Sequence, residues 1–183
     1  MQTFLFADLV GFTALSIERG DEAAADVATR FQQVVRGLAA RHDAVVVKSL
    51  GDGAMVCAED AGDAVRLGIA LANGIDGLPP VRVGLNTGPA VEREGDFFGS
   101  AVNLAARLSQ AARGGEVLLT DATRAAARRA RPQLEERGAR TFRNARDPVV
   151  VYAAKDRPPL RERLLAMKHR FVCPHVAART ETA

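Results

Sequence analysis

Two aspartates stand where runs of apolar residues end. Asp8 sits near the end of Phe4-Leu5-Phe6-Ala7-Asp8-Leu9, and Asp52 lies in Gly51-Asp52-Gly53 between two further apolar runs. A carboxylate at the mouth of an apolar strand costs free energy unless a cation or hydrogen-bond donors offset it. Two adjacent edge strands that each deliver one Asp make a hard-oxygen site suited to Mg²⁺ or Mn²⁺ beside phosphates. Val10-Gly11-Phe12-Thr13 follows Asp8. A glycine turn that opens a helix presents the backbone N–H groups of Phe12 and Thr13 to phosphate oxygens. Each Asp taken alone has a plainer use, as a helix cap or a hairpin residue.

Four more polar residues stand out against their surroundings. Lys48 lies in the apolar stretch 44–50, three residues before Gly51. Of the 25 basic residues only Lys48, Lys155 and Lys168 are lysines, so a strand lysine here is conspicuous. Lysine offers a compact point donor where arginine offers a planar fork, and the two are not interchangeable at a single acceptor. A charge that protects an edge strand from aggregation is the ordinary alternative. Asp96 precedes Phe97-Phe98-Gly99, and Asn103 and Arg107 follow on a helical pattern. Their four-residue spacing sets Asn103 and Arg107 on one helix face, where a surface Asn and a snorkelling Arg are the alternative.

These residues need a scaffold, and the hydrophobic pattern supplies one. Residues 4–9 read as a strand, and 21–40 as a helix in which Ala24, Val27, Phe31, Val34, Val35 and Leu38 recur at helical spacing. Residues 44–50 and 54–58 form a hairpin around Gly51-Asp52-Gly53. A second helix over 61–75 follows, then Pro79-Pro80, a strand over 81–86, a loop over 94–99 and a helix over 100–112. Strands over 116–119 and 148–152, with an arginine-rich helix between them, complete the pattern. The expected fold is α+β, a ferredoxin-like βαββαβ core with extra strands and helices. One domain over 1–155 and a basic C-terminal tail over 156–183 are expected. That tail carries a Leu160/Leu164/Met167 stripe and Cys173-Pro174-His175, a fragment too short to hold a metal by itself.

Composition narrows the function classes. The 183 residues are 48% hydrophobic and 26% charged, as in an ordinary globular protein with enough apolar side chain for a core. No apolar run approaches the roughly 20 residues of a membrane span, and the start lacks the flanks of a signal peptide. Cys57 and Cys173 make no disulfide framework, which points to the cytoplasm. The net charge of +3 hides an acidic first part and a basic second part. No nucleic-acid motif accompanies the basic part, so nucleic acid is not the expected partner.

Together these stretches resemble the class III nucleotidyl cyclases, the catalytic domain of adenylate and guanylate cyclases. The resemblance rests on Phe6-Ala7-Asp8-Leu9-Val10-Gly11-Phe12-Thr13, Lys48-Ser49-Leu50-Gly51-Asp52-Gly53, Val81-Arg82-Val83-Gly84-Leu85-Asn86-Thr87-Gly88, and the segment from Asp96 to Leu108. It spans residues 3–153, in order and with family spacing. It implies that Asp8 and Asp52 bind two metal ions, Mg²⁺ or Mn²⁺. It further implies that Lys48 and Asp96 read the adenine edge, where guanylate cyclases of the family typically carry Glu and Cys. Asn103 matches the residue that orients the ribose, Arg107 the one that stabilises the transition state, and Arg82 a phosphate-contacting arginine. Arg143 falls where the family often has a phosphate-binding Lys followed by Gly, so Arg143 and Asn144 both depart from the pattern. The implied activity is an adenylate cyclase acting on ATP in a head-to-tail homodimer. In that arrangement one protomer gives the aspartates and the other the purine pair, Asn103 and Arg107. A catalytically silent nucleotide-binding domain and a cyclase for GTP or a pyrimidine nucleotide are the alternatives. The pattern begins almost at Met1, which predicts no N-terminal sensor or membrane region in this chain.

Overall fold

The computed structural model describes residues 1–130, 132–143 and 147–156. Its elements are β1 (Gln2–Leu9), α1 (Phe12–Arg19), α2 (Asp21–Arg41), β2 (Ala44–Ser49), β3 (Gly53–Ala58), α3 (Ala61–Ala72), β4 (Val81–Gly88), β5 (Val91–Arg93), β6 (Asp96–Phe98), α4 (Ser100–Ala111), β7 (Val117–Thr120), α5 (Asp121–Ala126), a 3₁₀ turn (Ala127–Ala130), β8 (Gln133–Arg140) and β9 (Val149–Lys155). One sheet runs in the order β2-β3-β1-β4-β7-β9-β8, and β5 and β6 form a separate ribbon. Each of the strands β2-β3-β1-β4 is antiparallel to its neighbour, and with α1, α2 and α3 they make the expected ferredoxin-like core. Beyond it β4 pairs parallel with β7, and β9 and β8 complete the sheet antiparallel.

Strand alternation divides the core between the two faces of this sheet. Leu5, Ala7 and Leu9 of β1 and Val81, Val83 and Leu85 of β4 pack against Phe31 and Val35 of α2 and Leu67 and Leu71 of α3. Phe4 of β1 and Met55 and Cys57 of β3 face the other way, against Ala101, Val102 and Ala105 of α4. By the same alternation Asp8, Arg82 and Asn86 belong to the α4 face. Helix α4 lies close on β4 because Gly84 has no side chain. A Cβ there would collide with the backbone of Ala105, Leu108 and Ser109.

Several expectations are corrected. Asp8 is not on an edge strand: β1 pairs with β4 over Gln2–Leu9 and with β3 over Thr3–Asp8, and β3 is internal as well. The helix expected over 21–40 is α2, and α1 is a further helix before it, parted from it by Gly20 at φ 84°. The helix expected over 61–75 stops at Ala72. The stretch read as a loop over 94–99 contains β6, which pairs with β5 as a short ribbon. The arginine-rich helix is only α5 and a 3₁₀ turn, after which the chain forms β8. As an exposed edge strand β8 needs no apolar alternation, and its run QLEERGAR has none. All of the expected tail except Asp156 lies outside the described residues.

Candidate active site

The carboxylates come together through backbone pairing. Asp8 is the register partner of Gly53 on β3 and of Arg82 on β4. The Leu9 N–H donates to the Asp52 carbonyl at 3.0 Å, which ties the end of β1 to the hairpin tip. Gly53 leaves room for the pair, since a Cβ there would sit 3.3 Å from Asp8 Oδ1. Burial, and then the neighbouring Asp8 carboxylate, push the Asp52 carboxyl above its ordinary value, against smaller effects of its own backbone and of Arg82. Two carboxylates so placed make an anionic site that a cation relieves. Arg82 already answers part of that charge, its Nε donating to Asp8 Oδ2 at 2.7 Å and its Nη2 to the same oxygen.

Whether these residues suit a divalent metal follows from the donor set. Among the described residues no group of three or more His, Cys, Asp or Glu side chains converges as a metal cage. Asp8 and Asp52 supply two hard oxygens, and Mg²⁺ is commonly held by one or two carboxylates with water and substrate phosphates filling the rest. The fit is therefore to a substrate-borne metal, with the aspartates as its protein anchor. Phe12 and Thr13 open α1 directly beyond β1, after Gly11 at φ 79°. First-turn N–H groups of a helix have no intrahelical partner and suit phosphate oxygens.

A second group lines a cleft of about 430 Å³ between β4, α4 and the residues before β9. Asn103, Arg107 and Arg143 all face it, together with Asn86, Gly88 and Phe142. Buried Asn86 anchors this wall: its Nδ2 donates to the Ala101 carbonyl at 3.0 Å, and its Oδ1 accepts from Thr120 Oγ1 at 2.7 Å. Asn86 belongs to a motif quoted above, but its bracing of α4 depends on a contact to Ala101 that spacing does not reveal.

Lys48 and Asp96 form a third group. Lys48 Nζ donates to Asp96 Oδ1 at 2.8 Å and to Oδ2 at 2.6 Å, and the Phe97 N–H donates to Oδ1 at 2.8 Å. The Lys48 bond above all, then the Phe97 N–H, hold the Asp96 carboxyl below its ordinary value. Phe97 packs on Phe4 with ring centroids 5.4 Å apart, which fixes the β5–β6 ribbon over the sheet.

The three groups share the α4 face, but one chain does not gather them into one pocket. Neither Asp8 nor Asp52, and neither Lys48 nor Asp96, lines the cleft of Asn103 and Arg107. Sequence reasoning passed over Gln32. This buried residue of α2 donates from Nε2 to the carbonyls of Gly51 at 3.1 Å and Gly53 at 2.8 Å, around Asp52. Its place beside Phe31 in a helical pattern carries no sign of that contact.

Comparison with known proteins bears on the family and the fold. The adenylate and guanylate cyclase catalytic domain family matches residues 2–155. An adenylate cyclase of Streptomyces griseus is 38% identical over 120 residues, which are 64% of this chain and 30% of that protein. A pH-sensitive adenylate cyclase of Mycobacterium tuberculosis (strain CDC 1551 / Oshkosh) is 37% identical over 127 residues, 68% of this chain and 32% of that protein. The chain thus spans about a third of the length of these relatives. The crystal structure of the adenylyl cyclase CyaB from P. aeruginosa superposes with a TM-score of 0.74 at 27% identity, covering 86% of this chain and 95% of that one. With the family matched over nearly all of the described residues, and its fold reproduced, the chain belongs to the adenylate and guanylate cyclase catalytic domain family.

Proposed function

We propose that this domain converts ATP to 3′,5′-cyclic AMP and pyrophosphate, at sites shared by two copies arranged head to tail. The observation that carries the shared site is that the cleft of Asn103 and Arg107 is lined by neither aspartate. A C₂ pair that brings the α4 faces together sets the aspartates of one copy against the cleft of the other, twice. The adenylate cyclases among the relatives support the choice of reaction.

In this reading the ribose 3′-hydroxyl oxygen attacks the α-phosphorus, a new O–P bond forms, the α-phosphorus-to-pyrophosphate bond breaks, and the hydroxyl proton passes to solvent. Asp8 and Asp52 would hold the metal ions, which would supply activation of the attacking oxygen and neutralisation of the leaving group. The chain's own residues do the remainder. Asn103 holds the ribose so that attack is in line, which removes much of the entropic barrier. Arg107, four residues along the same face, meets the α-phosphate oxygens as charge develops on them. Arg82, Arg143 and the first turn of α1 hold the rest of the triphosphate. Lys48 donates to adenine N1 and Asp96 accepts from the N6 amino group. Guanine presents the opposite polarity at O6 and N1.

One observation favours a second reading, a cyclase with relaxed base choice. Lys48 and Asp96 already satisfy each other, so reading a base requires that pair to share or exchange its bonds. Purified protein incubated with each of the four nucleoside triphosphates and Mg²⁺ or Mn²⁺ separates these cases. Cyclic AMP from ATP, well above any other cyclic product, is the expected result. Equal products from ATP and GTP support the second reading, and no cyclic product overturns both.

A further inference from the structure

The hairpin that carries Asp52 is held from behind by a single side chain. Alone among the buried residues of α2, Gln32 is polar; the others are Ala24, Phe31, Val35 and Ala39. Its amide is saturated by the hairpin. Nε2 donates to the Gly51 carbonyl at 3.1 Å and to the Gly53 carbonyl at 2.8 Å, and Oε1 accepts from Ser49 Oγ at 2.7 Å. These contacts reach both arms of the turn and straddle Asp52. Within the hairpin the closing bonds are uneven: Leu50 N–H to the Gly53 carbonyl is 2.8 Å, but Gly53 N–H to the Leu50 carbonyl is 3.4 Å. Gly51 sits at φ 71°. Beyond Gln32 and this loosely closed turn, the tip is tied by the Leu9 N–H to the Asp52 carbonyl, which holds the backbone and not the direction of the carboxylate.

We propose that Gln32 is a positioning residue: it sets the Asp52 carboxylate relative to Asp8 by clamping the Gly51 and Gly53 carbonyls. The inference rests on the reading of Asp8 and Asp52 as metal ligands. Core packing alone does not account for the choice of residue. An apolar side chain fills the same space, whereas Gln brings two donors to two carbonyls and an acceptor to Ser49. Orientation of metal ligands by outer hydrogen bonds is a general requirement of such sites.

The test uses Gln32→Met, which keeps length and volume and removes both donors. In full-length protein, exchange of the Gly51–Gly53 amides should quicken about tenfold. Mn²⁺ titrated without nucleotide should bind about tenfold more weakly, while circular dichroism stays native. Under turnover the metal concentration for half-maximal rate should rise with little change in KM for ATP. A purely structural role predicts a lowered Tm with an unchanged metal dependence. Ser49→Ala, which leaves both Nε2 bonds, should show much the smaller loss. If Gln32→Met does not fold, Gln32→Asn, one methylene too short to span both carbonyls, replaces it with the same expected direction. Loop exchange and Mn²⁺ binding at wild-type values in the folded variant overturn the proposal. Loss of Mn²⁺ binding on Asp8→Ala or Asp52→Ala tests the underlying site separately. If those variants bind Mn²⁺ as the wild type does, the metal-site reading fails on its own account.

Discussion

Arg82 reaches across the β1–β4 ladder to its register partner Asp8 and puts two guanidinium nitrogens on one carboxylate oxygen. Its third nitrogen lies 3.5 Å from the Gln110 carbonyl at the end of α4. The pair answers the charge of Asp8 within the chain itself. It also means that the residue expected to hold phosphate and the residue expected to hold metal occupy each other when neither ligand is bound.

Arg82→Gln should therefore act in opposite directions on the two ligands. Without the guanidinium, Asp8 faces a divalent cation with its full charge, and Mn²⁺ binding in the absence of nucleotide should tighten several-fold. The triphosphate loses a cationic contact, and KM for ATP should rise about tenfold. Calorimetric titration of Mn²⁺ beside steady-state kinetics reads both. Mn²⁺ binding that stays at the wild-type value shows that Arg82 is not the competing counter-ion.

Asp52 makes a complementary case, because its carboxyl is raised by burial and by Asp8. Stability linked to a raised acid is present below the ordinary carboxylate pKa and is lost as pH rises through the folded-state value. Near neutrality the ionised Asp52 thus opposes the metal-free fold. Asp52→Asn should raise Tm in EDTA at about pH 7 while abolishing turnover. The gain should vanish as pH falls below 3.8, where the wild-type side chain is neutral in both states. Melting curves across pH in EDTA check the sign, and a lowered Tm near neutrality counts against it.

These relationships were only partly legible in the chain. Asp8, Asp52, Asn103 and Arg107 announce themselves because polar groups interrupt apolar patterns of known period, and the period names the element. The ion pair of Arg82 with Asp8 does not, because residues 74 apart meet only through the register of β1 on β4. Gln32 is silent for a related reason: a buried Gln at a helical position reads as surface until the hairpin beneath it is known. The edge position assigned to Asp8 failed because strand order is a tertiary property. Strand β8 was missed because a solvated edge strand needs no apolar alternation, and its alternating pair Glu135–Arg137 is an exposed ion pair.

The shared site makes a prediction that no single-chain site makes. Asp52→Ala and Arg107→Ala should each be inactive, with a loss of at least about a hundredfold for the missing electrostatic contribution. Mixed in equal amounts, they form heterodimers in which one site lacks both residues and the other has both. Activity should recover to roughly a quarter of wild type, since half of the dimers are mixed and each has one whole site. Recovery is measured after subunit exchange has been followed with differently labelled copies. No recovery despite full exchange rejects the interface arrangement.

The mutual contact of Lys48 and Asp96 sets the terms on which the pair can meet a base. The pair holds a donor beside an acceptor, with the Phe97 N–H fixing the carboxylate from behind. Adenine offers an acceptor at N1 beside a donor at N6, so it can bridge the two groups without leaving either unpaired. Guanine would set a carbonyl against Asp96 and an N–H against Lys48. The wild type should accordingly favour ATP over GTP in kcat/KM. Lys48→Glu with Asp96→Cys reverses the polarity and should lower kcat/KM for ATP by the equivalent of about 2–6 kcal/mol, the sum of two site groups left without partners at about 1–3 kcal/mol each. Gain of GTP turnover is not required, because pocket shape also contributes to selection. The double variant loses the Lys48–Asp96 ion pair as well, so Lys48→Met serves as the control for that loss. If it weakens ATP and GTP turnover equally, the pair braces the β5–β6 ribbon against β2 and the nucleotide is chosen elsewhere. A loss specific to ATP leaves the base-reading role as the only one that accounts for both variants.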